Sequence, residues 1–227
     1  MSSNSKRKHM PLQNRVDAFG DLIAVEVRGT VLGNRGGRFH RDDRTLGKRR
    51  HVSRQWICCR LEFNGRHRDV WGKCYTELFF LDEVTAFSAG HRPCFECRRK
   101  DAEAFAALWP YRTAPDRRPR AAEMDLSLQS ERLDGRLKRE HPMRIDELPD
   151  GTMIAVDGFA WAVCGKNLLR WSFTGYREKR SRPVGSKVSV LTPPSIVAVL
   201  RAGYVPQWHP TAGQPLVPKN SKSASVN

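Results

Sequence analysis

Residues 75–99 read YTELFFLDEVTAFSAGHRPCFECRR, and the reading of this stretch decides the fold. The apolar run Leu78, Phe79, Phe80, Leu81 has strand character. It enters a short helix that starts with Asp82 and Glu83, where negative charge suits a helix N-terminus, and that Gly90 ends from a C′ position. A tight turn then carries Cys94 and Cys97 into a second helix over residues 98–109, with Ala102, Phe105, Ala106 and Trp109 spaced for one buried face. A C-x-x-C pair on such a turn aims two sulfurs at one ion. A tetrahedral zinc site then needs two more ligands from elsewhere in the chain.

Upstream, residues 22–33 (LIAVEVRGTVLG) have strand composition with Gly29 and Gly33 as turn formers, which predicts a hairpin or two short strands. Residues 54–63 (RQWICCRLEF) alternate, so that Ile57, Cys59, Leu61 and Phe63 share one face and Trp56, Cys58, Arg60 and Glu62 the other. Asn64-Gly65 is a two-residue turn signal and predicts a partner strand near Val70 and Trp71. Downstream, residues 112–120 read as an exposed linker, and residues 122–148 as a charged helix or two, broken near Gly135 and ended at Pro142. Short strands follow, with turns at Asp150-Gly151 and Asp157-Gly158. Residues 188–204 then give a strand and an apolar helix whose N-terminus holds Pro193, Pro194 and Ser195.

The expected fold is therefore α+β: a zinc-stabilised β-hairpin plus helices, followed by a smaller β-rich segment with a C-terminal helix. Its expected divisions are a basic flexible arm (1–20), a zinc-binding domain (21–111), a charged linker and helix (112–146), a small β-rich segment (147–212) and a disordered tail (213–227).

Charge is the strongest bulk signal. In 227 residues, 40 Lys and Arg against 24 Asp and Glu leave a net charge of +16. Such a surface favours polyanions, and nucleic acid is the commonest, because each neutralised phosphate releases condensed counterions. Residues 28–60 hold ten Arg and Lys against Asp42 and Asp43, half of the whole excess. No run is long enough to span a bilayer and no secretory signal is evident, so a soluble cytoplasmic protein with no membrane partner is expected. In that setting the six cysteines read as metal ligands or small buried residues rather than a disulfide framework.

The segment ELFFLDEVTAFSAGHRPCFECRR is similar to the end of Ada-type zinc domains, which close on F-F, then A-x-x-A-G-[FYH]-R-P-C-x-x-C-R. GNRGGRFH at residues 33–40 resembles the G-N-[KR]-x-S-x-x-[FY]-H opening of related small bacterial zinc modules. The resemblance covers about residues 33–100 and implies that Cys94 and Cys97 are zinc thiolates. The chain departs from the Ada pattern upstream, where adjacent Cys58 and Cys59 stand in place of a C-x-x-x-C pair. The most economical zinc site is Cys94, Cys97, one of Cys58 and Cys59, and one His. His40 is preferred from the small-module pattern, His91 is the alternative, and Cys74 is a spare candidate.

Around this site Arg35, Arg38, Arg41, Arg44, Lys48, Arg49, Arg50 and Arg54 read as phosphate contacts, with Trp56 or His51 available to stack on an exposed base. The expected function is a zinc-binding protein that binds nucleic acid, DNA preferred, with the zinc structural. The alternatives are an enzyme acting on nucleic acid, a nuclease or an alkyl-transfer repair protein, or a basic adaptor for an acidic protein partner. A nuclease would need carboxylates from Asp42, Asp43, Glu123, Asp125, Glu131 or Asp134 to converge with a His. Alkyl transfer would need an accessible activated thiolate.

Overall fold

A computed structural model describes residues 10–66, 69–111 and 117–213. The remainder of the expected arm and tail lies outside the described residues.

Short segments of the N-terminal half assemble into a mixed six-stranded sheet. They are β1 (Arg15–Val16), β2 (Leu22–Ile23), β3 (Val31–Arg35), β4 (Trp56–Cys59), β5 (Leu78–Phe80) and β6 (Arg92–Pro93), in the order β2-β1-β5-β3-β4-β6. β3 lies between β4 and β5, antiparallel to both. Gly33 at its middle is required, since a Cβ there would stand 2.6 Å from Ile57 O and 2.7 Å from the Phe80 ring. β6 pairs parallel with β4, Ile57 opposite Arg92 and Cys58 opposite Pro93, and the next amide, Cys94 N–H, donates to Cys58 O at 3.0 Å. This pairing brings the C-x-x-C turn beside β4.

Between β5 and β6 runs α1 (Glu83–Ser88), with all six residues buried. Asp82 caps it by accepting from Thr85 N–H at 2.8 Å, and Gly90 at φ 79° closes it. α2 (Arg99–Ala107) follows the C-x-x-C turn and buries Ala102, Phe105 and Ala106, as its spacing predicts. After α3 (Ala121–Arg132) come the small hairpin β7 (Leu133–Asp134) and β8 (Leu137–Lys138) and then β9 (His141–Arg144). The second sheet continues with β10 (Met153–Val156), β11 (Phe159–Cys164), β12 (Asn167–Arg170), β13 (Glu178–Ser181) and β14 (Lys187–Val190). It is antiparallel throughout, in the order β13-β12-β11-β10-β14-β9. Asp157 and Gly158, both at positive φ, make the two-residue β10–β11 turn that their sequence signals. Helix α4 (Pro194–Arg201) then packs Ile196, Val199 and Leu200 against Met124 and Leu128 of α3 and Phe87 of α1.

The fold class is α+β, as the sequence predicts, but several pairings differ. Residues 22–33 give two short strands and no hairpin between them: β2 pairs with β1, and β3 with β4 and β5. The Asn64-Gly65 turn forms, but β4 has already stopped at Cys59, and Trp71 sits at φ 59° in a turn rather than in a partner strand. The ladder partners of β4 are β3 and β6, so its Arg-rich connection to β3 takes the place of a short hairpin loop. The segment after Gly135 forms strands instead of a second helix. The described part of the arm joins the sheet: Arg15–Val16 is a strand, and Asn14 O accepts from Phe79 N–H at 2.8 Å. Within residues 112–146, α3 buries Met124 and Leu128 completely.

Asp82 and Glu83, almost wholly buried, tie the two sheets together. Asp82 accepts from Tyr176 Oη at 2.8 Å and His209 N–H at 3.0 Å, while Glu83 accepts from Tyr204 Oη at 3.0 Å and Gln207 N–H at 2.8 Å. Replacing Asp82 by Ala removes a cap and strands buried donors, so a loss of about 3 kcal/mol is expected. Tyr176→Phe removes one bond and is expected to cost about 1 kcal/mol. Urea unfolding midpoints compare the two; equal, negligible shifts would show that the buried carboxylate is not an anchor.

Candidate metal centre and basic cavity

The alternation of β4 places Cys58 and Cys59 on opposite faces. Cys59 meets Cys94 and Cys97, and the three sulfurs all lie within 4.8 Å of one another. Sulfurs bound at ~2.3 Å to one tetrahedral ion stand roughly 3.8 Å apart, so the triad is positioned to hold a metal ion. The turn is shaped for thiolates: Glu96 N–H points at Cys94 Sγ from 3.4 Å, and Arg98 N–H closes the turn on Cys94 O at 3.0 Å. Hydrogen bonds from the Cys59 and Cys97 thiols hold Cys94 far below the usual thiol range, and the same bond to Cys94 pushes Cys59 up. The three sulfurs are thus close enough together for one cation to bridge them.

Cys58 goes elsewhere. It lies in the main apolar core with Phe80 and Phe87, burial pushes its thiol up, and Arg98 Nη1 reaches its sulfur at 3.4 Å. His40 is also apart from the sulfurs. Its ring stacks on Trp71 with centroids 5.1 Å apart, Nδ1 is bonded to Thr76 Oγ1 at 2.8 Å, and Nε2 to Gly72 O at 3.0 Å. His91 is fully buried against Trp56 and Phe80, with Nε2 accepting from Arg35 Nε at 3.4 Å. Burial and the neighbouring Arg35 and Arg132 push its pKa well down. The triad opens instead on a cavity of about 920 Å³ whose wall includes Cys74, the spare candidate, and the exposed Glu96.

The other face of β3 and β4 borders a second cavity, of about 530 Å³. Lys48, Arg49, Arg50 and His51 reach it from the β3–β4 connection, and Arg35 and Trp56 from the strands themselves. Three cations come from far along the chain: Arg132 at the end of α3, and Arg136 and Lys138 in the β7–β8 hairpin. Asp21 is the only carboxylate on this wall among the described residues. Arg35 and Arg132 are 2 % and 1 % exposed, and each lies over the Trp56 ring at 4.0 Å from its centroid. Trp56 therefore holds guanidiniums rather than offering its face to a base.

These buried cations have neutral partners. Arg35 donates to Gly20 O at 2.8 Å, Arg132 to Gly90 O at 3.0 Å and to Arg54 O and Gln129 Oε1 at 2.6 Å, and Lys138 to Ser88 O. Arg132 Nε is buried with no hydrogen-bond partner among the described residues. Burial pushes Arg35 and Arg132 each down to about 9 and Lys138 to about 7, and for Arg132 and Lys138 repulsion from Arg35 adds to the effect. Gly90 admits Arg132, since a Cβ there would stand 2.7 Å from its Cδ.

Of the eight basic residues named from the sequence, Arg35, Lys48, Arg49 and Arg50 thus come together, joined by Arg54 through its carbonyl alone. Arg38 pairs with Asp42, Arg41 bonds Thr45, and Arg44 pairs with Asp69 at 3.1 Å. Arg132, Arg136 and Lys138 were not singled out. The signal for them was Asp134-Gly135 between Leu133 and Leu137, a turn that folds this basic segment back as a hairpin.

The carboxylates do not converge. Asp43 bonds Thr45, Glu123 pairs with Arg117 at 2.7 Å, Asp125 takes a bidentate Arg92, Glu131 receives Ser195 N–H at 2.9 Å, and Asp134 faces Arg139. Among the described residues the cysteine triad is the one metal-ligand cluster. Comparison with known proteins found no matching family model, no matching curated protein and no matching solved structure. No helix among the described residues is long and apolar enough to cross a membrane.

Metal analysis of the purified protein is expected to give about one equivalent of a bound divalent ion per chain. Cys59→Ser and Cys94→Ser should each lose it, whereas Cys58→Ala should keep it. Loss of the ion from Cys58→Ala while Cys59→Ser retains it would reverse the assignment of the two faces.

Proposed function

We propose that the chain is a zinc-dependent nucleic-acid-binding protein. The observation that carries this reading is the cavity on the even-numbered face of β4, where among the described residues seven cations and one carboxylate line the wall and the deepest two cations donate only to neutral acceptors, with Asp21 and Asp17 acting on Arg35 and Asp125 on Arg132 from beyond ion-pair distance. Desolvated cations with neutral partners favour an incoming anion, and phosphate is the anion whose geometry matches guanidinium forks. The Arg-rich β3–β4 connection at the cavity mouth supplies further contacts to a backbone.

Zinc fits the triad on the chemistry of the donors, since three soft sulfur ligands suit it and the turn already favours thiolates. Cys59, Cys94 and Cys97 would hold the ion, beside the cavity whose wall includes Cys74. When bound, zinc supplies a cross-link between β4 and the turn after β6. That cross-link fixes one end of the Arg-rich connection, which is a structural role. DNA is the preferred form of the partner on the resemblance of residues 75–99 to Ada-type domains.

Fluorescence anisotropy with labelled single-stranded and duplex oligonucleotides across a salt series tests the reading. The logarithm of the affinity should fall linearly with the logarithm of salt, and Arg49→Gln and Arg50→Gln should each flatten the slope by about 1. Chelation of the metal should weaken binding together with the fold. Absence of binding, or an affinity indifferent to salt, would sink the proposal.

A further inference from the structure

We infer that the basic cavity is a pocket for one phosphomonoester, the terminal phosphate of a nucleic-acid strand or of a free nucleotide. The inference deepens the proposed function and rests on the reading of this cavity as a phosphate site. Depth is the first reason. Arg35 and Arg132 are 2 % and 1 % exposed, so a phosphodiester within a continuous backbone running over the surface does not reach them, whereas a chain end enters. The volume of about 530 Å³ falls in the range of ~300–1,000 Å³ typical of small-ligand pockets.

Charge is the second. A phosphodiester carries one negative charge, while a phosphomonoester carries about −1.5 to −2 at neutral pH and presents three terminal oxygens. Arg35, Arg132 and Lys138 bring three buried or half-buried cations together that donate only to neutral acceptors, and with Asp21 the one carboxylate on the wall among the described residues, a net charge of about +2 remains for a monoester dianion to balance. The third reason is a donor in waiting: Arg132 Nε is buried and without a hydrogen-bond partner among the described residues, in a side chain that lines the cavity. His51, half-buried on the same wall, is placed to meet the sugar or base that follows the phosphate.

The experiment uses the full-length, metal-loaded protein and one single-stranded oligonucleotide carrying a phosphate at the 5′ end, at the 3′ end or at neither. Adenosine 5′-monophosphate and adenosine serve as competitors. At least one phosphorylated form should bind about tenfold or more tightly than the unphosphorylated one, the worth of one charged hydrogen-bonding group. The monophosphate should compete and adenosine should not. Lys138→Gln should lower the affinity for the phosphorylated oligonucleotide several-fold more than that for the unphosphorylated one and so shrink the preference, since Lys138 lines the cavity and bonds only a backbone carbonyl. Arg136→Gln, at an exposed hairpin position on the same wall, carries less risk to the fold and should shrink the preference in the same direction.

Equal affinity for all three oligonucleotides with no competition by the monophosphate overturns the inference and leaves nucleic-acid binding standing. Binding of the monophosphate with no binding of any oligonucleotide upholds the pocket with a free nucleotide as its source, and overturns the nucleic-acid reading. Failure of every probe overturns both.

Discussion

Two carboxylates buried at the start of a six-residue helix hold this structure together. Asp82 and Glu83 draw in a tyrosine and a backbone amide each from the C-terminal region, and Glu83 also takes Arg98 Nη1 at 2.8 Å. Charges in such a place are costly unless every lone pair finds a donor, so the arrangement is demanding. The helix they begin belongs to two apolar cores at once, with Phe87 in one and Val84 in the other. These cores run across the boundary expected near residue 147. The two sheets are therefore bound through α1 rather than through a linker.

Arg98 extends that anchor to the metal centre. It follows Cys97 directly, pairs with Glu83 and Asp101, and touches Cys58. The C-x-x-C turn is thus fixed from behind by ion pairs and from the side by the parallel β4–β6 ladder. The positions of the three sulfurs are therefore set by ladder, turn and ion pairs together.

What was legible in the sequence was local. The strand, cap, Gly90 stop and C-x-x-C turn of residues 75–99 are written in near-neighbour spacing, and each forms as spaced. Alternation told that Cys58 and Cys59 part company but not which joins the turn, because that depends on which face β6 presents. His40 was favoured from a motif, yet the loop that carries it folds back onto Thr76 and Trp71. The basic cavity was half visible. Its Arg-rich loop stood out by charge density, while Arg132 and Lys138 fell within a stretch read only as a charged helix or two, since nothing near Arg132 in sequence announces its contact with Trp56, 76 residues away. The Asn64-Gly65 turn formed without its hairpin because turn chemistry fixes a bend and not the fate of the strands beside it.

β4 is four residues long, and its two faces serve two chemistries. Ile57 and Cys59 look toward sulfur and the larger cavity, while Trp56 lines the cationic one and Cys58 lies in the main core. The parity of a position therefore sets its allegiance. Point substitutions in this strand can alter one site and spare the other, so each is free to drift by itself. An insertion or deletion of one residue has no such freedom: it would turn every side chain to the opposite face, exchanging Trp56 and Cys59 between a cation clamp and a thiolate cluster and disabling both in a single step.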